Sequence, residues 1–284
     1  MCIEVPRQLA QIAPMKLFDI TYFGETVTLA DLPEYWKFYG KLASGVWEPG
    51  TFRALNDQLG PDVTYIDIGG WIGVTPFWAA KRAKRVIVVE PDPKCRAILK
   101  ELLPLYPNVT LTECALSPKA CLTLNAVDGF GSSETSALAI GDGCPTVEVE
   151  GCSMADLLNR ARPGPLVVKI DIEGYEYEIA DELKVLDLDD VKGIQLALHP
   201  ALYEKSLRGS FPLRRGKTLL ATMRLAQLYR RLERAGSVGI FPGLAAYLIK
   251  GIALRPSPKG ADILFLNPRP QLQSGGEDHT LFGR

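Results

Sequence analysis

One βαβ unit fixes the centre of this chain. Tyr65-Ile66-Asp67-Ile68 runs directly into Gly69-Gly70-Trp71-Ile72-Gly73, Pro76 to Lys84 follows, and Arg85-Val86-Ile87-Val88-Val89 leads to Glu90-Pro91. Short apolar runs of this kind suit parallel strands buried on both faces. Glycine tolerates positive φ and admits a close backbone or ligand, so the chain can reverse into a helix after the first strand. Pro76 suits the first turn of that helix, and Phe77, Trp78, Ala80 and Ala83 give it a helical apolar pattern. Each strand therefore ends near a carboxylate, Asp67 on the first and Glu90 on the second.

The glycine spacing narrows the ligand. A dinucleotide fingerprint needs glycine at the first, third and sixth positions, where Trp71 and Val74 occupy the third and sixth here. No Lys-Ser/Thr pair closes the turn as in a phosphate-cradling loop. Asp67 repels pyrophosphate but suits a cofactor with a cationic end, and Glu90 can accept hydrogen bonds from both hydroxyls of a ribose. A nucleoside carrying ribose and no phosphate meets these conditions, and S-adenosylmethionine is one. The alternative is a structural βαβ turn, which also needs glycine for packing.

Four motifs then occur in order: Asp67-Ile-Gly-Gly-Trp-Ile-Gly73, Val89-Glu-Pro-Asp92, Ala115-Leu-Ser117 and Val168-Lys-Ile-Asp-Ile-Glu-Gly-Tyr-Glu176. Together they resemble the FkbM family of S-adenosylmethionine-dependent methyltransferases, over about residues 46–200. The resemblance implies an α/β, class I methyltransferase fold: a Rossmann-like, doubly wound, mostly parallel seven-stranded sheet with an antiparallel last strand. It implies that Asp67 and the backbone of Gly69, Gly70 and Gly73 hold the amino-acid part of the cofactor. Glu90 with Pro91 would hold the ribose, and Ala115 and Leu116 would border the adenine. The family often has asparagine where Trp71 stands; the indole instead offers an aromatic wall to a sulfonium. It also often has a carboxylate where Gln195 stands.

Composition sets outer limits. The chain has 284 residues, 47% of them hydrophobic, and a formal charge of −1, enough for one large or two modest cores. That balance predicts no nucleic-acid partner. The six cysteines show no close paired spacing and read as reduced thiols. With two histidines, His199 and His279, a histidine-rich metal site is excluded and no metal is expected. No apolar run reaches the roughly 18–20 residues of a membrane span, and the N-terminus lacks a signal pattern, so a cytoplasmic protein without membrane contact is expected.

Residues 1–45 read as an N-terminal extension bordering the active site, 46–270 as the methyltransferase domain and 271–284 as a flexible tail. Within the extension, Phe18–Phe23 and Thr26–Leu29 flank Gly24-Glu25 as a hairpin, and Tyr35, Trp36 and Tyr39 cluster at near-helical spacing, for core packing or a substrate entrance. Asp92-Pro93 starts a helix. Val109–Glu113 is the third strand, Leu122–Asn125 an added edge strand, and residues 128–142 a polar glycine-rich loop containing Glu134. Val147–Glu150 is a strand, and Ser153 with Asp156 caps a helix. Val167–Ile170 and Gly193–His199 are the next central strands. A helix over Ile179, Leu183 and Leu186 follows Glu173. Lys205–Lys217 is a basic connector or an anion clamp, Thr218–Arg234 a helix, residues 241–254 ambiguous, and Ala261–Asn267 the final strand.

The chemistry expected is methyl transfer to a hydroxyl of a small molecule, such as a sugar or a product of secondary metabolism. His199 is the expected general base, since an unperturbed imidazole titrates near ~6.5. Asp171 lies at the cleft edge and would orient the hydroxyl or the histidine, or take the proton. Glu134 and Glu173 are expected to hold substrate, or else to be a solvated loop carboxylate and a helix cap. N-methylation of a peptide-like or amine substrate and a non-catalytic nucleoside-binding module are the alternatives, and homodimerisation is left open.

Overall fold

A computed structural model of the protein describes residues 15–126, 129–133, 135–139, 143–186, 190–234, 238–240 and 261–266. Glu134, His279, the ambiguous 241–254 stretch and the expected tail lie outside the described residues. The chain opens with the hairpin of β1 (Leu17–Tyr22) and β2 (Glu25–Ala30), then α1 (Trp36–Ala43) and α2 (Pro49–Gln58). The central unit follows as β3 (Thr64–Ile68), α3 (Val74–Ala79), β4 (Arg85–Val89), α4 (Pro93–Leu102) and β5 (Val109–Thr112). Next come β6 (Ala115–Leu116), β7 (Cys121–Ala126), β8 (Thr135–Ser136), β9 (Thr146–Cys152) and α5 (Met154–Ala161). The last part holds β10 (Leu166–Ile170), β11 (Val191–Leu198), α6 (Pro200–Ser206), α7 (Phe211–Arg234), β12 (Val238–Ile240) and β13 (Ala261–Leu266).

Seven strands form the main sheet in the order β12-β13-β11-β10-β3-β4-β5. β11, β10, β3, β4 and β5 run parallel, and β13 is antiparallel to both β11 and β12. This is the expected doubly wound α/β sheet with an antiparallel last strand. The chain moves outward from β3 to β5 and then returns to place β10 on the other side of β3, so the order reverses between β3 and β10. Ligands in open α/β sheets bind at such a reversal, beyond the carboxyl ends of the strands.

The central strands are mostly apolar because both faces are covered, with Asp67, Lys169 and Gln195 as buried polar exceptions. Ile66, Ile68, Ile87, Val89, Val168 and Ile170 pack with α5 residues such as Leu157 and Leu158. Tyr65, Val86, Val88 and Val167 pack on the opposite face with Phe77, Trp78, Ile98 and Leu99 of α3 and α4, as two-residue alternation requires. The N-terminal hairpin belongs to this second core rather than standing apart from it. Val27 and Leu29 are fully buried, the Tyr22 hydroxyl donates to the Val74 carbonyl at 2.7 Å, and Arg82 pairs with Glu25 at 2.8 Å. Tyr35 and Tyr39 are core residues, whereas Trp36 is exposed and donates through Nε1 to Asp31.

Several expectations change. The helix after the glycine turn starts at Val74 and stops at Ala79, with Lys84 returned to a turn. β7 joins a second, four-stranded sheet, β6-β9-β7-β8, instead of extending the main one. Single 3₁₀ turns at Tyr175–Tyr177 and Glu182–Leu186 replace the helix expected after Glu173. The basic connector folds into α6 and the start of α7, where Arg215 is buried and pairs with Glu204 at 3.0 Å. Cys114 and Cys152 form a disulfide, against the expectation of reduced thiols. The pair is 38 residues apart in sequence, and only the parallel pairing of β6 with β9 brings the two together, so chain spacing could not reveal it.

Candidate active site

A cavity of about 300 Å³ opens at the carboxyl ends of β3, β4 and β10, across the point where strand order reverses. Gly69, Gly70, Trp71, Glu90 and Pro91 line one part, Ala115 and Leu116 another, and Asp171 and Glu173 a third. Phe38, Trp47 and Glu48 from the N-terminal segment and Ser132, Ser133, Thr135 and Ser136 from the loop complete much of the wall. The glycine- and serine-rich loop, too polar for a core element, is expected at the surface or over a ligand, and it lines the cavity; Trp47 and Glu48 were not anticipated.

The glycine turn is shaped by packing as much as by ligand access. Gly69 has φ +89°, and a Cβ there would lie 1.9 Å from the Asp171 carbonyl oxygen. A Cβ at Gly70 would meet Val88 at 2.2 Å, and one at Gly73 would meet the Phe77 ring at the same distance. Gly73 therefore starts α3 and does not line the cavity. Trp71 sits between these glycines with φ 47°, a left-handed conformation rare for so large a residue.

Trp71 is held on three sides. Its backbone N–H donates to Glu90 Oε2 at 2.8 Å, its indole Nε1 donates to the Gly131 carbonyl at 2.9 Å, and its ring meets Tyr35 and Phe38 edge-on. Glu90 Oε1 accepts the Asp92 N–H at 2.8 Å. Burial drives the Glu90 carboxyl up to about 8 against the pull of these two donors. Each carboxylate oxygen keeps further acceptor capacity toward the cavity it lines.

Asp92 does more than cap α4. Oδ1 accepts from the N–H groups of Lys94 and Cys95, while Oδ2 accepts from Gly131 N–H at 2.8 Å and the Thr135 hydroxyl at 2.9 Å. The polar loop is thus tied to the start of α4. Sequence reading found the cap and missed the tie, because nothing local to Asp92 announces a partner about forty residues away.

Asp67 is not part of the cavity wall. It is fully buried beneath it, beside Lys169 in the β3–β10 register, with Lys169 Nζ 3.8 Å from Oδ1. Burial raises its carboxyl to about 6, opposed by the Lys169 charge. Lys169 donates to Asp171 Oδ2 at 2.9 Å, and continuing along the same row Gln195 donates to Thr51. Asp67, Lys169 and Gln195 make a buried polar row across three strands. Asp67 does not line the cavity, against its expected contact with the cofactor's amino-acid part.

Beside the third part of the wall, His199 at the end of β11 faces Asp171 and Glu173. Its Nε2 lies 3.6 Å from Asp171 Oδ1 and 3.4 Å from Glu173 Oε2, and Nδ1 is hydrogen-bonded to Glu176 at 3.1 Å. Burial pushes the imidazole down, but the Glu176 hydrogen bond and the charges of Glu176, Glu173 and Asp171 outweigh it and hold it up at about 10. The surrounding carboxylates thus favour the protonated imidazole at neutral pH, against the expectation of a free base. Glu176, fully buried and also accepting the Ile172 N–H at 3.1 Å, was not anticipated. It lies in the 3₁₀ turn Tyr175–Tyr177, and its side chain is directed inward to His199 and the Ile172 N–H.

Among the described residues no helix is long and apolar enough to cross a membrane. Comparison with family models matches residues 64–230, more than half of the chain, to the methyltransferase FkbM domain. No match was found among curated proteins. Similar solved structures include the FkbM methyltransferase from Methylobacillus flagellatus KT, 15% identical over 83% of this chain and 50% of its own, with a TM-score of 0.41. An rRNA methylase from Streptococcus thermophilus is 10% identical over 76% of this chain and 92% of its own, at 0.42. The 23S rRNA methyltransferase ErmE is 15% identical over 80% and 71%, at 0.38. With rRNA methyltransferases among the similar structures, the exclusion of nucleic acid is withdrawn. Net charge averages over the whole surface and does not decide what one face can bind. The four motifs fall around one cleft at the strand-order reversal, and the family model covers the strands that build it: the chain belongs to the FkbM family of S-adenosylmethionine-dependent methyltransferases.

Proposed function

We propose that this methyltransferase methylates a hydroxyl oxygen of a small molecule, such as a sugar or secondary metabolite, with S-adenosylmethionine as donor. One observation carries the reading: a single cavity joins Glu90 at the end of β4 to Asp171 and Glu173 at the end of β10. Lys169 is the only cationic side chain among the described lining residues, and it is engaged by Asp171 and Asp67. No uncommitted cation offsets the charge of a diphosphate there, whereas the carboxylates suit an uncharged ribose and a positive sulfur.

In this reading Glu90 accepts the ribose hydroxyls, Ala115 and Leu116 flank the base, and the backbone of Gly69 and Gly70 meets the amino-acid part. Trp71 presents its ring to the sulfonium. Pro91 shapes the ribose side. When bound, the cofactor supplies a methyl group on a cationic sulfur. Asp171 and Glu173 accept the acceptor's O–H and aim its oxygen, and one of the two carboxylates takes the hydroxyl proton as the oxygen is methylated; alignment of this kind supplies on the order of several kcal/mol of barrier reduction. His199 positions the two carboxylates, and Glu176 positions His199. The same carboxylates would attract a protonated amine, which keeps N-methylation as the second reading.

The test is incubation of the protein and methyl-labelled cofactor with cell extract, followed by mass spectrometry and NMR of labelled products. A small molecule labelled on oxygen is the expected result. Label on nitrogen, on RNA or on protein would replace the acceptor assignment. Cofactor binding with no labelled product would favour a non-catalytic module.

A further inference from the structure

Asp171, Glu173 and His199 each offer one ligand atom, and these atoms all lie within 4.8 Å of one another. We propose that they form a binding site for one divalent transition-metal ion at the acceptor end of the cavity. This departs from the sequence reading, which expected no metal.

The distances support a shared centre. The separations of 3.4 Å and 3.6 Å between Nε2 and the two carboxylate oxygens fall outside or at the limit of good hydrogen bonds. Two ligands about 2.1 Å from a common ion and about 110° apart are separated by about 3.4 Å, so both imidazole–carboxylate separations match tetrahedral coordination. The ligands come from two elements: the turn after β10 supplies both carboxylates, and the end of β11 supplies the imidazole.

The surroundings point the same way. Glu176 takes Nδ1 and is itself fixed by the Ile172 N–H, which leaves Nε2 toward the carboxylates. A carboxylate behind a ligating histidine sets its tautomer and ring orientation in metal sites. Asp171 divides its two oxygens: Oδ2 takes Lys169, while Oδ1, on the His199 side, is shut off from solvent and has no hydrogen-bond partner. Buried polar atoms in native proteins almost always have a partner, so this one asks for a ligand. Four carboxylates, Asp67, Asp171, Glu173 and Glu176, face Lys169 and His199, and an ion in place of the Nε2 proton would offset the excess negative charge. Imidazole with two carboxylate oxygens suits Mn²⁺ or Zn²⁺ better than Ca²⁺.

Asp171 and Glu173 line the cavity, so open coordination positions would face the acceptor and could take its hydroxyl oxygen. That role rests on the O-methylation reading; binding of the ion does not.

The experiment is calorimetric titration of MnCl₂ and ZnCl₂ into metal-stripped, cofactor-free protein, with electron paramagnetic resonance of bound Mn²⁺. One ion per chain is expected, bound at least 100-fold more weakly by Glu173→Gln and His199→Ala and about 10-fold more weakly by Glu176→Gln. Melting temperature and S-adenosylmethionine affinity, measured on the same samples, show which variants are folded; if one variant fails to fold, the other decides. Absence of saturable binding of either ion to the wild type, or equal affinity in the folded variants, overturns the site. Failure of the cofactor to bind while the ion still binds would sink the function proposed above and leave the metal site standing.

Discussion

Glu90 accepts the Trp71 backbone N–H on Oε2 at 2.8 Å, so the end of β4 grips the glycine turn that follows β3. The same carboxylate takes the Asp92 N–H on Oε1, and burial raises its pKa from near 4.5 to about 8. Folding therefore favours the protonated form. The stability this contributes to the ligand-free protein is fully present below about 4.5 and is lost as pH rises through about 8. Ribose hydroxyls, which donate, prefer the ionised form, so cofactor affinity should rise between about pH 6.5 and 9. Two charge-assisted hydrogen bonds at about 1.5 kcal/mol each imply that Glu90→Ala binds roughly 100-fold more weakly and loses the pH trend. Calorimetry across that range checks both, and an affinity flat with pH in the wild type would remove Glu90 from the ribose site.

Gly69→Ala should be the most damaging small substitution in the turn. The added methyl would sit 1.9 Å from the Asp171 carbonyl oxygen, and φ of +89° disfavours any side chain. A loss of at least about 3 kcal/mol in urea denaturation is expected. Gly50→Ala, with nothing within 4 Å of the new carbon, is the control and should shift stability by less than about 1 kcal/mol. Similar losses in the two variants would mean that the crossing of the turn by the β10 exit is wrong.

Lys169→Met should strand a charge. Lys169 is only 4% exposed and stands between Asp67 and Asp171, so its removal leaves a buried carboxylate uncompensated, with a loss of about 3–5 kcal/mol. Asp67→Asn in the same chain should restore part of it, and a double-mutant cycle in denaturant reads the coupling directly. Additive effects would show that the two side chains act independently.

The sheet was legible because its strands announce themselves. Val86–Val89 is an unbroken apolar run and Val167–Ile170 is broken only by Lys169, as burial on both faces favours. The antiparallel β13 was likewise visible in Ala261–Leu266. What periodicity cannot show is which side of a strand end is wet. Asp67 and Glu90 look equivalent in sequence, one at the end of each strand. Asp67 alternates onto the face covered by the N-terminal segment, while Glu90, one step beyond its strand, turns into the cavity. His199 was found by position and misjudged in protonation, since its reference value carries no knowledge of Glu176. That residue went unassigned because its partner, His199, lies 23 residues further along the chain and meets it only across β10 and β11. The hairpin's membership of the core and the Cys114–Cys152 pair depend on contacts far along the chain.

Asp92 holds the first turn of α4 with one oxygen and Gly131 and Thr135 with the other. The roof segment around Gly131 therefore cannot lift without pulling on the carboxylate that caps a helix directly after Glu90. One side chain thus fixes both the start of α4 and the positions of Gly131 and Thr135. Losing the Asp92 carboxylate would release a helix start and a stretch of cavity wall together.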